Sequence, residues 1–127
     1  MTDRLEVDRL LRELYAARVG GDLDGVCRTF SRDAKLRIAG TSNGNPIAIT
    51  AVGASEIRRW LALMIKSFQL TDHTIQSIII DGANAAVHWR TRVYSRITGT
   101  SVSTELIDMV KVQEGRIAAY TEFFVSR

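Results

Sequence analysis

The chain of 127 residues is 46% hydrophobic and 24% charged, and it carries a net charge of +3. These values predict one globular domain over residues 1–127 and exclude a disordered chain or a solenoid. The 17 basic and 14 acidic residues are interleaved, so we expect no nucleic-acid partner. No apolar run approaches the ~18 residues of a membrane span, and the single cysteine excludes an internal disulfide. We therefore expect no membrane partner and a cytoplasmic location.

The first half of the chain predicts three helices and a hairpin. Apolar residues at three- and four-residue steps predict a helix over 4–19, which Gly20-Gly21 ends. Asp22 is placed to cap a short second helix that runs to about Phe30. A strand and its hairpin partner are predicted at Ala34–Ala39 and Ile47–Val52, and an amphipathic third helix follows Gly53 and extends to about residue 68.

The second half changes to the alternating pattern of strands. Four runs rich in β-branched and aromatic residues are separated by short turns that contain glycine, which is typical of successive hairpins. The runs are Leu70–Asp81, Ala85–Thr98, Ser101–Val112 and Arg116–Val125. Three helices gathered on one side of an antiparallel sheet predict the α+β class.

The alternation also predicts which side chains face the helices. A two-residue turn at Gly99-Thr100 places Thr91 opposite Asp108 and Trp89 opposite Val110, with all four facing inward. Asp108 is then a carboxylate among apolar residues, and burial is expected to raise its pKa.

Two registers stay open for the last strand, because a slip of one residue inverts its faces. A three-residue turn at Gln113–Gly115 with a glycine bulge is the one we expect. It turns three side chains toward Asp108, namely Tyr120, Glu122 and Phe124. A two-residue turn instead turns the alternate set inward, namely Ala119, Thr121 and Phe123.

Several short motifs are spread along the chain, and they are Gly21-Asp22-Leu23-Asp24-Gly25 with Phe30 and Asp33-Ala34, Gly53-Ala54 with Ile57-Arg58, Asp81-Gly82, Ile107-Asp108, and Glu114-Gly115-Arg116-Ile117. Together these motifs resemble the nuclear transport factor 2-like superfamily, and within it the SnoaL-like and ketosteroid-isomerase-like branch. The similarity covers about residues 4–125. It implies a cone-shaped barrel in which the curved antiparallel sheet wraps the helices around a pocket. It also implies dimers formed through the outer face of the sheet.

The resemblance to the steroid isomerases covers one catalytic position of three. Asp108 matches the aspartic acid that helps to hold the oxyanion, a residue kept neutral by its apolar site. The tyrosine position falls on Leu14, with Tyr15 one residue away, and the position of the proton-shuttling base falls on Ile38. Ketosteroid isomerisation by that mechanism is therefore not expected.

His73, at the start of the first long strand, resembles a histidine found in scytalone-dehydratase-like and some SnoaL-like relatives. The position of the dehydratase's companion aspartate is occupied here by Val19, so the match is partial. His73 is a candidate base near neutral pH, as is Glu122 if it faces inward. With two histidines and one cysteine far apart, we expect neither a metal site nor a cofactor.

The candidate catalytic residues each have a structural alternative. Asp108 is either an acid or oxyanion donor in the pocket or a carboxylate bonded to Thr91, Tyr15 or backbone groups. Tyr15 and His73 are either pocket groups or structural ones, and Glu122 either faces the pocket or points outward toward Arg92. The expected pocket walls are Phe30, Trp60, Met64, Trp89, Thr91, Tyr120 and Phe124.

The outer face of the predicted sheet carries a basic row, formed by His88, Arg90, Arg92 and Arg96. An anion is one candidate partner. A second copy of the chain is the one we expect, because arginine and aromatic residues are enriched at protein interfaces. The expected flanking residues are Tyr94, Ile107, Met109 and Glu105.

Two functions remain open from the sequence. The first is an acid–base isomerase, dehydratase or cyclase that acts on a hydrophobic carbonyl or polyketide-like compound in an apolar pocket. The alternative is a non-catalytic ligand-binding or dimerisation module of the same fold. If His73, Tyr15 and Asp108 converge on an open cavity, the enzyme is favoured. If the cavity is collapsed, or if Asp108 is fully bonded to structural groups, the module is favoured.

Overall fold

A computed structural model describes residues 3–42 and 44–126 of the chain. Three helices occupy its first half, and they are α1 (Arg4–Gly20), α2 (Leu23–Arg28) and α3 (Ala54–Ser67). Six strands complete the fold, and they are β1 (Phe30–Ser42), β2 (Asn45–Val52), β3 (Phe68–Asp81), β4 (Asn84–Ser95), β5 (Ser101–Gln113) and β6 (Arg116–Ser126). Every predicted element is present, so the α+β prediction is confirmed. None of these helices combines the length and the apolar character that crossing a membrane requires.

The ends of α1 and α2 follow from local chemistry. The Asp3 side chain accepts a hydrogen bond from the backbone N–H of Leu5, and this caps the start of α1. Gly21 ends that helix with φ at 70°, a left-handed conformation that glycine adopts without strain. Asp22 caps α2 as predicted, by accepting from the N–H of Gly25.

The strands form one curved sheet in the order β2-β1-β6-β5-β4-β3, and it is not closed. Neighbouring strands are antiparallel, except that β1 and β6 run parallel. The predicted antiparallel sheet is thus confirmed in four of the five described strand pairs and is parallel at this one. Because β2 pairs with one edge of β1, β6 pairs with the other.

The predicted register between β4 and β5 is wrong by four residues, although the faces are right. Asp108 lies opposite Val87, and Thr91 lies opposite Thr104. The connection is a five-residue loop over 96–100 rather than a two-residue turn, and the Ser95 hydroxyl accepts hydrogen bonds from two of its N–H groups. An even shift keeps every side chain on its face, so Asp108 still points inward.

The turn between β5 and β6 also differs from the prediction. Gln113 pairs with Arg116, so the turn has two residues, Glu114 and Gly115, and both have φ above 50°. The extra residue lies further along, where the register shifts between Lys111 and Val112. Because this bulge restores the expected phase, Tyr120, Glu122 and Phe124 do face the helices.

The core lies between the concave face of the sheet and the helices. α1 contributes four buried residues at helical spacing, Val7, Leu11, Leu14 and Tyr15. α3 contributes Ile57 and Leu61. Burial of Asp108 and Glu122 in the same interior makes this core unusual, since neither residue as a whole is more than 3% exposed.

Candidate functional site

A cavity of about 230 Å³ opens between α3 and the concave face of the sheet. Its lining is mostly aliphatic and aromatic, as in many sites for small hydrophobic molecules. The main contributors are Leu61 and Met64 from α3, Trp89 from β4, Leu106 from β5 and Phe124 from β6. Ile38 of β1 and Ile49 of β2 close the opposite side.

One wall of the cavity carries an ion pair. Nη1 of Arg18, in the last turn of α1, lies 2.6 Å from Oε1 of Glu122 on β6. The two side chains are only 11% and 4% exposed. Burial is the largest single influence and lowers the pKa of Arg18, but the charge of Glu122, its hydrogen bond, and the nearby Tyr120 and Asp108 together outweigh burial and raise the pKa. The apolar cavity therefore contains a fixed hydrogen-bond donor beside a carboxylate.

Arg18 is held in place from two further sides. Its guanidinium carbon lies 5.2 Å from the centre of the Trp89 ring, within cation–π range. Its Nη1 also donates to the hydroxyl of Tyr120 at 3.2 Å, and that hydroxyl donates to Oδ2 of Asp108. The chain of hydrogen bonds thus connects the cavity wall to a second polar group deeper in the core.

Asp108 is the centre of that deeper group. Three donors converge on its Oδ2: the hydroxyl of Tyr15 at 2.5 Å, Nε1 of Trp89 at 2.7 Å, and the hydroxyl of Tyr120. Its Oδ1 is buried and has no hydrogen-bond partner among the described residues. Burial, followed by the charge of nearby Glu122, raises the pKa of Asp108 to about 8.

His73 joins this cluster from a bulge in β3. The register shifts between Thr71 and Thr74, so two residues oppose Thr91, and Asp72 has φ at 52°. The His73 ring then lies 5.7 Å from the ring of Tyr15 and 5.2 Å from that of Trp89. Burial and the charge of Arg18 lower the pKa of His73, which favours its neutral form.

The predicted catalytic residues are thus divided between two places. Tyr15 contacts both His73 and Asp108, but in the described structure none of the three lines the cavity. Glu122 does line it. Asp108 is bonded to Tyr15, as its structural alternative holds, while Thr91 donates instead to the backbone oxygen of Thr71.

The predicted pocket walls divide in the same way. Met64, Trp89, Thr91 and Phe124 line the cavity. Phe30 and Tyr120 line a small void of about 10 Å³ that shares Arg18 and Glu122 with it. Trp60 packs against the core and is part of neither lining.

Sequence reasoning missed Arg18, although its position carried a signal. Arg18 follows Leu11 by seven residues and Leu14 by four, which places it on the buried stripe of α1. An arginine on a buried stripe needs an acidic partner, and Asp108 and Glu122 were the two acids predicted to face inward.

The outer face of the sheet carries most of the predicted basic row. Arg90 and Arg92 are exposed, and Nε2 of His88 lies 2.9 Å from Glu105. Arg96 is an exception to the prediction, because it follows the end of β4 and donates to the carbonyl oxygens of Ile65 and Lys66 at the end of α3. The large apolar side chains exposed beside the row include Tyr94, Ile107, Met109 and Phe123.

The described residues contain no group of three histidine, cysteine or acidic side chains placed to hold a metal ion. No curated protein matches the chain by sequence. A family model described as a SnoaL-like domain matches residues 11–120, which is most of the chain.

Solved structures share the fold at low sequence identity. A proposed isomerase from Bacillus subtilis is 17% identical, with a TM-score of 0.82 over 98% of this chain and 89% of that one. An LEH-like epoxide hydrolase of M. tuberculosis is 18% identical, with a TM-score of 0.73 over 94% and 83%. An NTF2-like protein from Burkholderia xenovorans is 15% identical, with a TM-score of 0.77 over 98% and 92%. At these identities the likeness extends to the fold alone.

Proposed function

The chain belongs to the SnoaL-like domain family, and from its cavity we propose that it binds a small hydrophobic carbonyl compound. One observation carries this proposal: a mostly apolar cavity of about 230 Å³ contains the Arg18–Glu122 ion pair in its wall. The apolar walls favour a hydrocarbon body, and the guanidinium offers a donor to a carbonyl oxygen.

Binding is tested with a pair of ligands that differ only in the carbonyl. Trp60→Phe leaves Trp89, which lines the cavity, as the single tryptophan. In this variant we expect 2-tetralone to change the Trp89 fluorescence and to bind several-fold more tightly than tetralin. Equal affinities, or no fluorescence change with either ligand, would contradict the proposal.

The ion pair itself is tested by removing both charges together. Either single truncation leaves a buried charge without its partner, whereas the double variant Arg18→Met, Glu122→Leu keeps an apolar interior. We expect this double variant to bind tetralin at least as well as before and to lose the preference for 2-tetralone. A preference that survives would place the carbonyl elsewhere.

Within this proposal, the reaction that the site supports best is acid–base isomerisation through an enolate. Glu122 takes a proton from the carbon beside the carbonyl, the C–H electron pair forms the carbon–carbon double bond, and the carbonyl oxygen becomes negative. Arg18 donates to that oxygen, and return of the proton to another carbon completes the isomerisation. Asp108 acts as a positioning residue, because it accepts from Tyr120 and Tyr120 accepts from Arg18.

Enolate formation is measured by exchange of the α-hydrogens of 2-tetralone in D₂O. We expect the wild type to speed this exchange and Glu122→Gln to lose at least tenfold of the added rate. Glu13→Gln, an exposed position on α1, is the matched control and keeps the full rate. If Glu122→Gln exchanges as fast as the wild type, the chain is better described as a non-catalytic binding module. Three structural donors on Oδ2 of Asp108, together with the position of Asp108 outside the cavity lining, are the observations that favour this second function.

We also propose that a second copy of the chain covers the outer face of the sheet. Ile107, Met109 and Phe123 lie on adjacent strands there and are 42–49% exposed. Arg90, Arg92 and Tyr94 flank them together with Glu105, so this face carries both signs of charge, which suits a self-complementary twofold interface. Sedimentation is expected to give a dimer for the wild type and a monomer for Ile107→Glu. A wild-type monomer at high concentration would refute this arrangement.

A further inference from the structure

Four hydroxyl side chains lie side by side across the concave face of the sheet. Thr91 of β4 is opposite Thr104 of β5, Thr104 is opposite Ser126 of β6, and Ser126 is opposite Ser42 of β1. All four line the cavity. We call this set (Ser42, Thr91, Thr104 and Ser126) the hydroxyl row.

The hydroxyl row contains protons that are not used in hydrogen bonds within the described structure. Thr91 uses its proton to donate to the backbone oxygen of Thr71 at 2.8 Å. Thr104 and Ser126 share one hydrogen bond of 2.9 Å, which uses one of their two protons. Ser42 makes no side-chain hydrogen bond to another described residue. Two hydroxyl protons are therefore available to an acceptor inside the cavity.

The hydroxyl row and the ion pair are well separated along the same strand. Ser126 follows Glu122 by four residues on β6, so their backbones are about 13 Å apart at the usual rise of ~3.3 Å per residue. The inward position between them is Phe124, whose neighbour on β5 is Leu106, and beyond it on β4 comes Trp89. The cavity thus has a polar group at each end and an apolar middle.

We infer that the ligand is an elongated hydrophobic molecule with an oxygen function at both ends. Its carbonyl oxygen lies at Arg18, and a second carbonyl or hydroxyl oxygen accepts from the hydroxyl row. The hydrocarbon between them packs on Trp89, Leu106 and Phe124. The row consists of neutral groups, so it suits a neutral oxygen rather than a carboxylate or phosphate. This inference rests on the proposed function and specifies its substrate class.

The test compares 10-hydroxy-2-decanone with 2-decanone, which lacks the distal hydroxyl. In the Trp60→Phe background we expect the hydroxyketone to bind about fivefold more tightly, the effect of one added neutral hydrogen bond. The triple variant Ser42→Ala, Thr104→Val, Ser126→Ala removes three of the hydroxyls with little change in volume. This variant is expected to weaken the binding of the hydroxyketone alone, so that the two ligands bind with equal affinity.

The matched control removes hydroxyls from the outer face of the same strands. Thr41→Val, Ser103→Ala changes exposed neighbours of the row on β1 and β5 and is expected to keep the fivefold ratio. If the triple variant also keeps that ratio while both ketones still bind, the inference is overturned and the proposed function stands. If folded wild type binds neither 2-decanone nor 2-tetralone, the proposed function fails, and the inference fails with it.

Discussion

Asp108 illustrates how one residue serves two purposes in a small core. Its Oδ2 gathers a donor from α1, another from β4 and a third from β6, so it ties three elements together. Through Tyr120 it also fixes the guanidinium at the cavity wall. The cost is a carboxyl group with one buried oxygen that lacks a partner among the described residues.

The raised pKa of Asp108 predicts a specific dependence of stability on pH. The folded protein holds this proton up to a pH of about 8, whereas an unfolded chain releases it near pH 4. The stabilising contribution is therefore complete below about pH 4 and is lost as the pH rises through about 8. Asp108→Asn keeps the acceptor and cannot ionise. We expect its free energy of unfolding, relative to wild type, to rise by about 3–4 kcal/mol between pH 5 and pH 8.

Urea unfolding at the two pH values measures this difference. Asp33→Asn, an exposed position on β1, is the control for a simple loss of charge. A difference between Asp108→Asn and wild type that stays constant from pH 5 to pH 8 would show that Asp108 is ionised throughout.

Gly40 is required by the position of Phe124 in the cavity wall. A Cβ at Gly40 would lie 2.3 Å from the backbone oxygen of Phe124 and 2.5 Å from its ring. We expect Gly40→Ala to lower the free energy of unfolding by about 1–3 kcal/mol, the usual cost of overpacking, and to weaken binding of 2-tetralone. Gly20→Ala is the control: nothing lies within 4 Å of its Cβ, so stability is expected to stay or increase.

The alternation of side chains along a strand explains which parts of the site could be predicted from the sequence. Asp108 and Glu122 fall in phase with buried neighbours on their strands, so their inward direction followed from alternation alone. Alternation could not reveal that three donors surround Asp108, because those donors come from α1, β4 and β6. Thr104 and Ser126 carried the same parity signal, but it became informative only once the strand register was known.

Among the elements, β3 departs furthest from regular geometry. Its bulge at Asp72 and His73 turns an imidazole toward Tyr15 and Trp89, and Nε2 of that ring is buried without a partner among the described residues. Nothing in the alternation of Leu70–Asp81 indicated an extra residue, since a bulge is a property of the pair of strands.

Because the bulge buries a ring nitrogen of His73 without a partner among the described residues, we expect His73→Phe to stabilise the protein. Phenylalanine keeps the aromatic contacts and removes the unpartnered nitrogen, which is expected to add about 1 kcal/mol at pH 8. Because the pKa of His73 is lowered in the folded state, the contribution of His73 to the free energy of unfolding falls as the pH drops below about 6.5, and the variant lacks this loss. The gain measured by urea unfolding should therefore be larger at pH 5 than at pH 8. A variant less stable than wild type at both values would instead assign the imidazole an essential contact.

The register between β4 and β5 shows a limit of the same kind at the level of a hairpin. Glycine at position 99 indicated a turn, but the five-residue loop depends on the hydroxyl of Ser95, which accepts from two backbone N–H groups. Turn residues indicate where a hairpin bends, but they indicate the number of residues in the connecting loop less well.

At the scale of the whole molecule, the fold was the most predictable feature. The change of hydrophobic period near residue 70 separated helices from meander, and the motifs around Gly21 and Asp108 carried the family resemblance. The separation between cavity and buried cluster was not predictable. Tyr15 of α1 contacts Asp108 directly, whereas a cavity lies between α3 and Phe124. The hydrophobic period of the sequence does not give the distance between a helix and the sheet.

The most direct test of the cavity as a ligand site is to locate a ligand that scatters anomalously. Crystals grown with 6-bromo-2-tetralone are expected to show the bromine among the apolar side chains of the cavity, with the carbonyl oxygen within hydrogen-bond distance of Arg18. Bromine found only on the outer face of the sheet, or a carbonyl turned away from the Arg18–Glu122 pair, would contradict the proposed function.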